Sequence, residues 1–128
     1  MSERVEQVAT QTAAHLRSPR HVIVHTGAKS KQEHIEGNVL GAALGTVVRF
    51  ALQQVAVPRV CVAGGDTSSH VARALGIKAL EMVAPLTPGA PLCRAHAPDS
   101  PADGVEFVFK GGQVGGADYF GVVARGRP

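Results

Sequence analysis

The chain has 128 residues, 45% of them apolar and 18% charged, which fits one globular domain and leaves no room for a second core. Fifteen glycines and eight prolines stand against four Phe, one Tyr and no Trp, so the core is aliphatic, and the glycines follow no period that would signal collagen or low complexity. The net charge of +3 and pI near 9.2 come without a basic cluster or many aromatics to stack on bases, which argues against nucleic acid as a partner and suits a small anion such as a nucleotide.

Val5, Val8, Ala9, Thr12 and Leu16 recur at helical spacing, with Ser2 as a cap and Glu3 and Glu6 in the first turn. Met1 to Glu6 shows no apolar signal core, so a reducing cytoplasm is expected. Ser18-Pro19 ends this helix. His21-Val22-Ile23-Val24-His25 is rich in β-branched residues and reads as a buried strand. Residues 27–37 are polar and aperiodic and read as a mobile loop.

Val39, Leu40, Ala43, Leu44, Val47, Val48, Ala51, Leu52 and Val55 then form the broad apolar stripe of the longest helix. Gly37, Gly41 and Gly45 lie on one flank, which we read as close packing on a sheet. The longest uncharged stretch in this region, residues 37–48, is well short of the ~20 residues of a membrane span. Pro58 closes the helix, and Arg59-Val60-Cys61-Val62-Ala63 is a second strand.

Gly64-Gly65-Asp66-Thr67-Ser68-Ser69 follows at once, then a short helix with Val71, Ala72, Ala74 and Leu75, stopped by Gly76. Residues 77–83 give a third strand. Five prolines between Pro85 and Pro101 punctuate irregular chain around one more strand, residues 92–97. A strand over 105–110 leads through Lys110-Gly111-Gly112-Gln113-Val114-Gly115-Gly116 into a last helix near Ala117, with Tyr119, Phe120 and Val123 on its inner face. Helices and strands alternate, which predicts a three-layer α/β/α sandwich with a mixed sheet in a single domain.

The chemistry points to the two glycine-rich junctions. In the first, a buried strand delivers Gly64 and Gly65 to the sheet edge where open α/β folds bind ligands. Glycines let a ligand approach the backbone, free amides at the helix start favour an anion, and Thr67 and Ser68 add hydroxyl donors. Asp66 would act on phosphate through Mg²⁺. The alternative is an ordinary turn in which Asp66 or Thr67 caps the helix. The segment is neither a Walker A loop nor a GxGxxG fingerprint. In the second junction Lys110 can neutralise phosphate charge, and the alternative is a solvated lysine at a strand end.

Other chemistries find less support. Cys61 and Cys93 lack metal-ligand spacing and read as small buried hydrophobes. His21 and His25 would stand ~13 Å apart along a strand, His70 reads as an exposed first-turn residue, and His96 has no partner nearby in sequence. No metal ligand set is expected. Ser68 and Ser69 lack a GxSxG elbow, so no catalytic residue can be assigned.

At these segments the sequence resembles the C-terminal nucleotide-binding domain of the four-carbon acid sugar kinase family, which includes 3-oxo-tetronate 4-kinases and threonate kinases. The resemblance is carried by Val62-Ala63-Gly64-Gly65-Asp66-Thr67-Ser68, matching a GG[DE]TS turn, and by Ala74-Leu75-Gly76-Ile77. It continues in a Pro-Gly turn within residues 85–91 and in Lys110-Gly111-Gly112-Gln113-Val114-Gly115-Gly116 with the aromatic pair that follows. It implies that ATP lies against both turns, with Gly64, Gly65, Asp66, Thr67 and Ser68 at phosphate or ribose, and Lys110, Gly112, Gln113 and Gly115 close to the nucleotide. It also implies Mg²⁺ and transfer of the γ-phosphoryl group to the terminal hydroxyl of a four-carbon sugar acid. Family members are longer, and their N-terminal domain carries the sugar-acid site. The chain is therefore expected to be a C-terminal piece, inactive alone, with an apolar patch that could drive homodimerisation. The competing expectation is a non-catalytic domain whose turns serve a protein partner or a small anionic regulator.

Overall fold

The computed structural model describes residues 2–18, 20–25, 37–111 and 115–127. The elements in chain order are α1 (Glu3–Leu16), α2 (Gly37–Gln54), β1 (Arg59–Ala63), α3 (Gly65–Ala74), β2 (Ala79–Thr87), β3 (Ala90–His96), β4 (Glu106–Lys110) and α4 (Tyr119–Arg125). The strands form one mixed sheet in the order β1-β4-β3-β2. β1 and β4 are parallel, whereas β3 runs antiparallel to both of its neighbours.

Alternation along the two parallel strands decides which helix covers which face. Val60 and Val62 of β1, with Phe107 and Phe109 of β4, pack with Val71 of α3, with Leu75 at its C-cap and with Leu44, Val48 and Leu52 of α2. Phe107 is fully buried, and its ring stacks on Phe109 at 5.4 Å. Cys61 and Val108 point the other way, against Tyr119, Val122 and Val123 of α4 and Leu86, Ala90 and Leu92 of the β2–β3 hairpin. β1 and β4 are therefore covered on both faces. α1 packs on α2, and its start is fixed by Ser2, whose hydroxyl accepts from the Val5 amide at 3.2 Å.

The glycines of α2 serve a different contact from the expected one. A Cβ on Gly41 would fall on Cβ of His70, and one on Gly45 would lie 2.5 Å from Cβ of Ala74. Both partners belong to α3. The small residues thus bring two helices together on one face of the sheet, rather than seating α2 on the strands.

Several sequence readings need correction. Residues 21–25 are not a buried strand: they pair with no strand among the described residues, and Ile23 is 62% exposed. β-Branched residues favour a pleated surface only where a neighbour supplies the ladder. β2 is longer than expected and forms the sheet edge, with Leu80, Met82 and Val83 exposed. The proline-rich stretch is an ordered β2–β3 hairpin turning at Pro88 and Gly89, whose φ of 83° suits glycine. Pro85 is tolerated because β2 is an edge strand. Phe120 is 53% exposed, so of the three residues expected on the inner face of α4 only Tyr119 and Val123 lie there. The loop expected over 27–37 lies outside the described residues apart from the backbone of Gly37.

Candidate functional site

The parallel pairing of β1 and β4 brings the two glycine-rich junctions together. Ala63 and Lys110 are the last register partners. One step further, the Gly64 amide donates to the Lys110 carbonyl at 2.9 Å. Both junctions therefore leave the sheet side by side at its carboxyl edge, where ligands of open α/β sheets bind.

At the first junction the helix begins earlier than its hydrophobic pattern suggests. Gly64, at φ 109°, is the N-cap and supplies no side chain, so Gly65, Asp66, Thr67 and Ser68 lie inside the first turn of α3. The alternative in which Asp66 or Thr67 caps the helix is thereby excluded. The leading amides of α3 have no carbonyl one turn back, a concentration of donors suited to an anion. A Cβ on Gly65 would meet nothing within 4 Å, and Gly65 has no positive φ. Neither packing nor conformation explains why this position is glycine. Ser68 Oγ is enclosed and has no hydrogen-bond partner in the structure. Asp66 is exposed.

At the second junction Lys110 reaches over the Tyr119 ring, with Nζ 5.2 Å from its centroid, and donates to the Gly111 carbonyl at 2.9 Å. Gly115, at φ 98°, lies so close to Tyr119 that a Cβ would fall on the ring. The Tyr119 hydroxyl accepts from the Cys61 thiol at 4.0 Å. Burial pushes the Cys61 thiol above its ordinary value, against smaller opposing effects of Tyr119 and Lys110. Burial likewise pushes the Tyr119 phenol up, with the Cys61 thiol reinforcing it. Gly112 and Gln113 lie outside the described residues.

Of the residues singled out from sequence, Gly64, Gly65, Asp66, Thr67, Ser68 and Lys110 are gathered at one edge. Gly115 lies against Tyr119, whose part in linking the junctions had no signal beyond its place in an aromatic pair. His70 sits in the second turn of α3, half-buried against α2, so it is neither first-turn nor exposed. Both cysteines are free, Cys93 buried and Cys61 half-buried. Among the described residues, no cluster of three or more His, Cys, Asp or Glu could hold a metal. A shallow groove of about 440 Å³, lined by Leu52, Val57, Pro58, Pro101 and Val105 among others, lies by the opposite ends of β1 and β4. The side chains of its lining residues are all apolar. No described helix is long and apolar enough to cross a membrane.

Fold and site together define an α/β domain whose two glycine-rich junctions meet at the carboxyl edge of its parallel strands. The chain belongs to the family of nucleotide-binding C-terminal domains, whose model matches residues 1–120. It is 40% identical to a 3-oxo-isoapionate kinase of Paraburkholderia graminis over 96% of its length. It is 32% identical to a 3-oxo-tetronate kinase of Burkholderia multivorans over 91% of its length. The chain spans only 30% and 29% of these two relatives. Its fold is that of a Bordetella bronchiseptica DUF1537 protein crystallised with citrate as a domain-swapped dimer (TM-score 0.72, 22% identity, 98% of this chain and 31% of that one). A Haemophilus influenzae protein of the same DUF1537 group shares it as well (TM-score 0.67, 20% identity, 98% and 31%).

Proposed function

We propose that the chain is the ATP-binding part of a kinase that phosphorylates the terminal hydroxyl of a small sugar acid of the 3-oxo-tetronate, threonate or 3-oxo-isoapionate type. The observation that carries this reading is Gly65, open to the site and glycine for no internal reason, in the first turn of α3. A phosphate against that turn accounts for it, because it needs close backbone approach and takes up amide donors. Lys110 adds positive charge from the adjacent strand. The donor set is rich in N–H and O–H groups and holds one carboxylate, Asp66, which fits Mg²⁺ carried chiefly by phosphate oxygens and water. Bound Mg²⁺ would neutralise phosphate charge. Gly112 and Gln113 complete the nucleotide contacts in this reading.

Sugar-acid binding and the groups that act on the acceptor hydroxyl belong to the N-terminal part of the protein, as the greater length of the relatives supports. Alone, the chain holds nucleotide weakly and transfers no phosphate. The exposed apolar residues of β2 support self-association of the whole protein, and the Bordetella dimers agree with it.

Calorimetric titration with Mg-ATP tests this reading, using the chain and its Gly65→Val and Lys110→Ala variants, then the same proteins joined to an N-terminal kinase part. Binding that disappears in Gly65→Val supports it. Failure of both the chain and the joined protein to bind Mg-ATP overturns it.

A further inference from the structure

Tyr119 touches Lys110, Gly115 and Gly116 in the site's second half. It is 5% exposed and opens α4. Its ring lies beneath the Lys110 ammonium and against Gly115, its amide donates to the Gly116 carbonyl at 3.2 Å, and its hydroxyl meets Cys61 on β1. A residue needed only to fill the core between β1 and α4 requires neither the lysine above it nor a positive-φ glycine at its edge.

We propose that Tyr119 is a positioning residue of the phosphate site, its ring holding the Lys110 ammonium and the Gly115 backbone in the places where they meet the nucleotide. This rests on the nucleotide reading above. The choice of an aromatic ring has a physical reason. A lysine has a long flexible stem, and holding it in place beforehand removes ordering entropy from the binding step. A carboxylate would hold it too, but would compete with phosphate for the same charge. The ring attracts the ammonium through its quadrupole and, unlike a carboxylate, brings no negative charge to neutralise it.

The test is a double-mutant cycle on Mg-ATP affinity with Tyr119→Phe, Tyr119→Leu, Lys110→Ala and the Tyr119→Leu/Lys110→Ala pair. Tyr119→Phe keeps the ring and is expected to bind like the wild type. Tyr119→Leu is expected to bind roughly fivefold more weakly, the scale of an exposed cation–π contact. With Lys110 already replaced, most of that loss should vanish. An equal loss in both backgrounds would overturn the proposal.

A second readout does not depend on how well Tyr119→Leu folds. Tyr119 is the only tyrosine in the chain, so ring-labelled tyrosine gives a single set of NMR signals. These signals should shift when Lys110→Ala is introduced, and again when Mg-ATP binds the wild type. Signals that stay put while Mg-ATP binds would overturn the positioning role and leave the nucleotide reading intact. A wild-type protein that binds no Mg-ATP, joined or alone, would overturn both.

Discussion

The amide of Gly64 donates to the carbonyl of Lys110 across 2.9 Å, one residue beyond the last register pair of β1 and β4. Forty-five residues of chain lie between the two, including all of α3, β2 and β3. The bond joins two glycine-rich segments that stand far apart in the sequence. It also sets the direction of both exits, because parallel strands that end in register release their chains on the same edge. A ligand there meets the first turn of α3 and the Lys110 side chain together.

Gly65→Ala separates stability from binding. Its Cβ enters open space, and alanine restricts the unfolded chain more than glycine, so the variant should be unchanged or up to about 1 kcal/mol more stable. Mg-ATP affinity should fall about tenfold or more, because the methyl occupies the approach to the backbone. Gly64→Ala should behave differently. At φ 109° it should lose about 1 to 2 kcal/mol from backbone strain alone. Urea unfolding beside calorimetry distinguishes the two outcomes.

The seam between α2 and α3 offers a second test. Gly45 sits against Ala74 and Gly41 against His70, so leucine at either position must separate the helices. Each variant should lose about 1 to 3 kcal/mol in urea unfolding. Because α3 carries the first junction on its leading turn, nucleotide affinity should weaken with it. Leucine at the exposed Ala42, on the same helix but away from the seam, should leave both unchanged.

Those same elements show what can be read from a sequence and what cannot. The stride-of-four stripe of α2, the Ser2 cap of α1 and the two strands that end in glycine pairs were all legible, because their signals are local. The partner of Gly41 and Gly45 was not, since a row of small residues says that something comes close but not what. His21 to His25 was misread because β-propensity does not say whether a neighbouring strand exists. The hairpin from 79 to 96 was hidden by prolines that would break an inner strand but are harmless at an edge. At the site, the glycines announced backbone approach. The pairing of Ala63 with Lys110, which makes one site of two turns, is a long-range register that no local pattern contains.

Arg59 tests the opposite end of β1. Its guanidinium donates to Glu106 Oε1 at 3.0 and 2.6 Å and to the carbonyls of Val123 and Ala124 at 2.8 and 3.3 Å. It therefore ties β1 and β4 to the C-terminus of α4, which Gly126 ends at φ 74°. The ion pair is partly solvated, which reduces its worth. Arg59→Met should cost about 1 to 2 kcal/mol, mostly through the carbonyls it leaves without a donor. Lysine should recover only a fraction, lacking the planar fork. Mg-ATP affinity should hold, since the site lies ~13 Å away along the strand.

The Cys61–Tyr119 pair predicts how stability responds to alkali. Both groups hold their protons more tightly in the folded protein than in the unfolded chain, from ordinary values of 9.0 for the thiol and 10.0 for the phenol. The folded state then binds more protons, so stability is fully present below those values and falls as pH rises through them. The decline should begin near pH 9 with Cys61 and steepen above pH 10 with Tyr119, by at most about 1.4 kcal/mol per pH unit for each group. Urea midpoints measured from about pH 8 upward should therefore drop less in Cys61→Ala and, above pH 10, less in Tyr119→Phe. A wild-type curve that stays flat to pH 10, or that neither substitution alters, would show that burial does not hold these protons in place.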